Sequence, residues 1–121
     1  MQVRVLIVDD SGVIRDGLRG ILRHQPDISV VGEAVDGRDA LDKVVQLDPD
    51  VILMDAQMPH MDGIEATRFI KRREPGRRVL FLTVHTSYAE EAQKAGADAF
   101  LLKDCRREEL VETIRGLARI A

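Results

Sequence analysis

Short apolar runs alternate along the chain with longer segments in which apolar residues recur at helical spacing. Such runs, bounded by turn residues, are typical of strands buried in a parallel sheet. Five strands are predicted: Val3–Val8, Asp27–Ala34, Val51–Met54, Arg78–Thr83 and Ala99–Leu102. Because a helical segment follows each strand, the pattern predicts an α/β fold, with a five-stranded parallel sheet covered on both faces.

The helical segments begin and end at recognisable capping residues. The first is predicted over residues 12–24 after Ser11, the third from Gly63 to Arg73 after Asp62, and the fourth over residues 87–95 before Gly96. The second helix follows the Asp36-Gly37 turn. The residues expected to face the core are Ile14, Leu18, Ile21, Leu22, Ala40, Leu41, Val44, Val45, Leu47, Ile64, Phe69, Ile70, Ala89, Ala92, Ala95, Leu110, Val111, Ile114, Leu117 and Ala118.

Two of the predicted strands end on carboxylates. Asp9 and Asp10 follow the first strand, and Asp55 follows the third. If these strands are neighbours, the three acids meet in one crevice at the carboxyl ends of the strands, where open α/β sheets place their sites. Three close acids repel one another unless a cation lies among them, and hard oxygen ligands suit Mg²⁺. The sequence therefore predicts a divalent-cation site around Asp55.

Length and composition exclude several classes of protein. Residues 1–121 make one domain of ordinary size, 45% apolar and 32% charged, without an apolar run that could span a membrane. A net charge of −3 and the absence of Trp argue against nucleic-acid binding by this domain itself. The single cysteine, Cys105, fits a reducing cytoplasm.

Two further residues complete a family pattern. Thr83 ends the fourth strand and Lys103 follows the fifth, so polar residues stand at four strand ends. The segments 53–63 (LMDAQMPHMDG) and 96–104 (GADAFLLKD) resemble the receiver domain of bacterial two-component response regulators of the NarL type. The resemblance covers the whole chain. It implies a doubly wound, flavodoxin-like (βα)5 fold with strand order 2-1-3-4-5.

The resemblance also implies the chemistry of the acids. Asp55 would be the nucleophile that takes a phosphoryl group from a histidine kinase, which makes the chain a phosphoacceptor signalling domain rather than an enzyme. Asp10 and Asp55 would coordinate Mg²⁺ together with the backbone carbonyl of Gln57, while Asp9 would act mainly through water. A charge-rich phosphoryl transition state needs positioning and cations more than covalent help.

By the same resemblance, Lys103 would pair first with Asp55 and then with the phosphoryl oxygens, to which Thr83 would also donate. Thr83 and Phe100 would form the switch that transmits phosphorylation to an output surface. Phe100 stands where the family commonly has Tyr, and Asp104 stands where many receivers have proline. Arg106 and Arg107 replace a common Ser-Pro helix start, so the last helix is expected to be poorly capped.

A run of basic residues and the histidines are interpreted as structural residues outside the predicted site. A solvated face is predicted for the basic residues Lys71, Arg72, Arg73, Arg77 and Arg78, with DNA contact as the alternative. His24 is expected at a helix end, and His60 and His85 in loops rather than at a metal.

Partners and alternatives follow from the resemblance. A phosphorylation-linked homodimer is expected, with DNA bound through a C-terminal domain outside this chain. A stand-alone receiver acting by protein contact or phosphorelay remains an alternative. A Mg²⁺-dependent phosphatase would usually place its nucleophile after the first strand with a second acid two residues on, whereas Asp9 and Asp10 are adjacent.

Overall fold

The computed structural model describes residues 2–119. A five-stranded sheet forms the centre, with parallel pairing throughout and the order β2-β1-β3-β4-β5. Its strands are β1 Val3–Val8, β2 Ile28–Ala34, β3 Val51–Met54, β4 Arg78–Thr83 and β5 Ala99–Leu102. The predicted fold class and strand order are confirmed. No helix within residues 2–119 is both long and apolar enough to cross a membrane.

Five helices cover the two faces of the sheet. They are α1 Gly12–Leu22, α2 Gly37–Leu47, α3 Gly63–Arg73, α4 Ala89–Ala95 and α5 Arg107–Ala118, and a 3-10 turn at Thr86–Tyr88 precedes α4. Alternate residues of β1 point to opposite faces. Leu6 and Val8 join the core beneath α2, α3 and α4, while Val5 and Ile7 join the core beneath α1 and α5.

Capping side chains fix where the helices begin. The Ser11 hydroxyl accepts from the backbone N–H of Ile14 at 3.3 Å, and the Asp62 carboxylate accepts from that of Glu65 at 2.9 Å. Arg106 precedes α5 without a side-chain cap, as predicted. The peptide bond between Lys103 and Asp104 is trans, like the others in the described part of the chain.

Several sequence predictions are wrong in detail. α1 ends at Leu22 instead of continuing to residue 24, and α4 begins at Ala89 because Thr86–Tyr88 adopt the tighter 3-10 turn. Val45 is 63% exposed and Phe69 is 40% exposed, although both were expected to face the core. Each follows or precedes a buried helical residue by one position, and one position turns the side chain about 100° around the helix.

The predicted solvated basic face is also only partly present. Arg72 and Arg73 are exposed, but the side chains of Lys71, Arg77 and Arg78 are only 12–18% exposed. Lys71 pairs with Asp98 at 2.7 Å, and Arg77 bridges Asp48 and Glu74. Their acidic partners lie far away in sequence or across a turn, and the apolar stems pack while the heads pair.

Candidate functional site

The pairing of β1 with β3 brings the three predicted acids together. Val8 is in register with Met54, and the backbone N–H of Asp55 donates to the Val8 carbonyl at 3.0 Å. One carboxylate oxygen from each of Asp9, Asp10 and Asp55 lies within 4.8 Å of the others. Asp9 and Asp55 are buried, whereas Asp10 is exposed at the rim. The acidic crevice predicted from the strand ends is therefore present.

Lys103 enters the same crevice from β5. Its backbone N–H donates to the Thr83 carbonyl at 2.8 Å, which fixes the lysine beside the end of β4. Its Nζ lies 2.7 Å from Asp9 Oδ2 and 3.3 Å from Asp55 Oδ2. The resemblance implied that Lys103 pairs first with Asp55, but the shorter contact is to Asp9. The ammonium lies between the two buried acids and offsets part of their repulsion.

Burial and charge shift the protonation of this group in a consistent way. Removal from water raises the pKa of Asp55, and the nearby charge of Asp9 raises it further, while Lys103 opposes both effects. Burial on its own would lower the pKa of Lys103, but its hydrogen bond to Asp9 and the charge of Asp55 raise that pKa overall. Lys103 is therefore a fixed positive charge near neutral pH.

The donor set fits a small hard cation. Three carboxylates converge from two strand ends, and one of them faces solvent, which leaves positions for water. Gln57, two residues after Asp55, lies on the wall of the same crevice. No group of three possible metal ligands within residues 2–119 includes a histidine. His60 instead pairs with Asp36 at 2.9 Å, and His85 and His24 are exposed.

An open cavity of about 630 Å³ lies above the acids. Its lining residues are Asp10, Asp55, Ala56, Gln57, Met58, Pro59, Asp62, Thr83, Val84, Tyr88 and Lys103. Thr83 is only 1% exposed, so its side chain belongs to the floor of this space. The sequence did not indicate Tyr88, although it is the only tyrosine of the chain and lies five residues after Thr83.

Phe100 is separate from the cavity. It is partly buried against the apolar core under α4 and pairs in register with Phe81 of β4. A second space of about 270 Å³ adjoins it, lined by residues of α4 and the following loop. Phe100 thus lies beside α4, on a strand that β4 separates from the strand before Asp55.

A close backbone approach shapes the loop after Asp55. The N–H of Gly63 donates to the Ala56 carbonyl at 2.9 Å, and a Cβ at Gly63 would lie 1.9 Å from the Asp55 carbonyl oxygen. Only glycine allows α3 to start this near the end of β3. The helix start therefore fixes the backbone on which Asp55 is carried.

Comparison with known proteins agrees with this geometry. Residues 5–115 match the model of the response regulator receiver domain. The uncharacterised transcriptional regulatory protein YxjL of Bacillus subtilis is 42% identical over 98% of this chain and 55% of its own length. The response regulator domain of Thermotoga maritima CheB superposes with a TM-score of 0.93 at 36% identity, covering 100% of this chain and 99% of that one.

A solved receiver domain of the NarL type is similar to the same degree. The signal receiver domain of the putative response regulator NarL from Mycobacterium tuberculosis has a TM-score of 0.93 and 36% identity, covering 99% of this chain and 98% of that one. The chain spans about half the length of the curated relatives it matches. From its fold, its acidic crevice and these similarities, the chain belongs to the response regulator receiver domains of two-component systems.

Proposed function

We propose that residues 1–121 form a single receiver domain whose Asp55 accepts a phosphoryl group from a histidine kinase. The observation that supports this most directly is the placement of Asp55, buried at the end of β3 and 3.3 Å from Lys103. An Asp55 carboxylate oxygen would attack the phosphorus of a phosphohistidine. The P–N bond would break, and the imidazole would leave with a proton from solvent.

The acids around Asp55 would hold Mg²⁺. Asp10 and Asp55 would bind it directly with the main-chain carbonyl of Gln57, and Asp9 would contribute through water. When bound, the ion would neutralise charge on the transferring phosphoryl group. Asp9 has a second role in this chain, because its carboxylate also accepts from Lys103 and from the backbone N–H of Ser11.

Lys103 and Thr83 would stabilise the added charge. Phosphorylation changes the charge at Asp55 by about −1 and adds acceptor oxygens. Lys103 already contacts Asp55, and Thr83 lines the same cavity. Both donors are carried by strand ends, so little reorganisation is needed to reach a phosphoryl group.

The output would be regulation of transcription in the cytoplasm. YxjL, DegU of Brevibacillus brevis and VraR of Staphylococcus saprophyticus are named as regulators, and each is longer than this chain. A DNA-binding domain outside residues 1–121 would act on DNA. Phosphorylation would promote a homodimer of the receiver.

The acceptor role is tested by incubating the chain with acetyl phosphate and Mg²⁺ and recording its intact mass. Wild type should gain one phosphoryl group, and Asp55→Asn should gain none because the nucleophile is removed while the shape is kept. Asp98→Asn, a matched substitution at the opposite end of the sheet, should be labelled like wild type. Equal labelling of Asp55→Asn would refute the assignment.

The switch role of Thr83 and Phe100 is tested separately. Thr83→Ala should still be phosphorylated. The changes in amide shifts around Phe100 and α4 on adding a phosphate mimic should be smaller, because the variant lacks the hydroxyl that would move toward the phosphoryl group. Thr83→Ser keeps the hydroxyl and should respond like wild type. Equal responses in the alanine variant would exclude Thr83 as the carrier of the signal.

A further inference from the structure

One contact reaches from α1 to the loop that carries the acids. Arg15 Nη1 donates to the main-chain carbonyl of Asp9 at 2.6 Å, and Arg15 Nε donates to Glu33 Oε1 at 3.0 Å. The Arg15 side chain is 18% exposed and that of Glu33 is 29% exposed, so the pair is partly shielded from solvent. Neither residue lines the cavity above Asp55.

Glu33 holds the Arg15 side chain from a defined position, because Glu33 belongs to the sheet. It lies on β2 in register with Ile7, and the next pair, Val8 and Ala34, ends the ladder. The Asp9 N–H then donates to the Ala34 carbonyl at 3.1 Å. The guanidinium therefore joins a fixed point on β2 to the first carbonyl beyond the end of β1.

That carbonyl belongs to the peptide between Asp9 and Asp10. The Asp9 carboxylate is also held by Lys103 and by the N–H of Ser11, whereas Asp10 is exposed at the rim. Because a peptide is planar, fixing the direction of its carbonyl also fixes the direction in which the chain enters Asp10. Arg15 thus helps to set the position of the most exposed of the three acids.

We propose that Arg15 is a positioning residue for the Mg²⁺ site and acts through the Asp9–Asp10 peptide. The inference rests on the proposed function, since it assumes that the three acids bind Mg²⁺. Partners that orient metal ligands without touching the metal typically change metal affinity by roughly 10- to 100-fold when removed. Arg15 holds a ligand through the backbone, so a smaller effect is expected.

The charge of Arg15 makes the direction of the effect decisive. A guanidinium near the acids repels Mg²⁺, so by charge alone its removal would tighten metal binding. By positioning, its removal would weaken metal binding. The two explanations predict opposite changes in the dissociation constant.

The chain offers a matched control in Arg19. Arg19 lies one helical turn after Arg15, is also basic, and also pairs with Glu33, but its other partner is Asp16 on its own helix instead of the Asp9 carbonyl. Arg15→Met and Arg19→Met each remove one positive charge and one contact to Glu33. Only the first removes the contact to the acid loop.

In the experiment, the metal-free chain is titrated with MgCl₂. Calorimetry and the amide shifts of Asp10 and Asp55 measure the binding. Arg15→Met should raise the dissociation constant roughly threefold to tenfold, and Arg19→Met should change it by less than about twofold. Arg15→Lys keeps the charge but cannot span both partners with a rigid fork, so it should also bind Mg²⁺ more weakly than wild type.

Each result decides the matter. Equal or tighter binding by Arg15→Met or Arg15→Lys, or an equal loss in Arg19→Met, would overturn the role of Arg15. If Arg15→Met does not fold, Arg15→Lys carries the test. If wild type itself neither binds Mg²⁺ nor is phosphorylated, the proposed function fails. If wild type does both and the Arg15 variants match it, only this inference fails.

Discussion

The two ends of the sheet use the same residue types in opposite ways. At the amino ends of the strands, Asp98 accepts from the Val79 N–H at 2.7 Å and pairs with Lys71 at 2.7 Å. At the carboxyl ends, three acids lie close together, two of them in contact with Lys103, and burial with the charge of Asp9 raises the pKa of Asp55. One end joins its carboxylates to donors within the chain, and the other leaves carboxylate oxygens facing a cavity.

This difference separates stability from function. An acid with matched donors, such as Asp98, stabilises the fold, and its loss leaves those donors without their acceptor. A buried acid held close to other acids is repelled by them, and a bound cation can offset that repulsion. Replacing Asp55 at one end and Asp98 at the other by asparagine should therefore change the free energy of unfolding with opposite signs.

The largest loss of stability is expected at Gly63, where the start of α3 lies against the backbone of Asp55. Gly63→Ala would place a Cβ 1.9 Å from the Asp55 carbonyl oxygen, so α3 and the end of β3 must move apart. Overpacking against backbone, which has no flexible side chain that could move aside, falls at the upper end of the usual range and should cost about 3 kcal/mol or more. We expect a clear loss in urea-induced unfolding and slower phosphorylation of Asp55.

Gly17→Ala is its matched control. Gly17 lies inside α1, and apart from its chain neighbours and the helix's own backbone no atom lies within 4 Å of a Cβ built there. The same substitution at that position should stabilise the chain by about 0.5–1 kcal/mol, because alanine favours a helix over glycine. Equal effects at the two glycines would show that the approach of Gly63 to Asp55 is not tight in solution.

A smaller loss is expected at the amino end of the sheet. Asp98→Asn keeps the shape but removes the charge that faces Lys71 and Arg78, at 2.7 and 3.5 Å. Breaking a half-buried pair of this kind should cost about 1.5–3 kcal/mol in urea-induced unfolding. The rate of phosphorylation at low urea should stay unchanged, since the acids lie at the opposite end of the strands. A stable variant with slow phosphorylation would contradict the separation of roles.

The site could be predicted further from the sequence than the stabilising pairs. Asp9, Asp55, Thr83 and Lys103 each follow a short apolar run directly, Asp10 comes next after Asp9, and parallel strands bring their carboxyl ends to one edge. Their positions depend only on where strands end. That information is local, so the convergence of the acids was correctly predicted.

The longer side chains could not be placed in this way. Lys71, Arg77 and Arg78 looked like a solvated basic run, but their flexible stems fold back to acids such as Asp98 and Asp48. The contact of Arg15 with the Asp9 carbonyl leaves no signal in the spacing of residues, because its acceptor is backbone. Tyr88 was missed because a 3-10 turn, not a helix, brings it to the cavity.

The two ends of the sheet can be compared directly by making the same substitution, aspartate to asparagine, at each end. Asp55→Asn, unlike Asp98→Asn, should stabilise the metal-free chain at neutral pH. Burial and repulsion from Asp9 both disfavour the ionised carboxylate of Asp55 and so raise its pKa. Its removal leaves Lys103 paired with Asp9 at 2.7 Å, so no buried cation is left without a partner. We expect a gain of about 1 kcal/mol in the free energy of unfolding, as is common when a destabilising group at a functional site is removed.

The gain should depend on pH in a defined direction. Because the pKa of Asp55 is raised in the folded chain, folded Asp55 keeps its proton at pH values where the unfolded chain has lost it. Its contribution to stability is therefore complete below the ordinary pKa of 3.8 and is lost as the pH rises through the folded pKa. The difference between Asp55→Asn and wild type should be largest near neutral pH and should shrink toward pH 4, as both side chains become uncharged. Urea-induced unfolding in EDTA at several pH values measures it, and taking the difference cancels acids common to both proteins. A gain that grows as the pH falls would mean that Lys103 outweighs burial and Asp9 at this site.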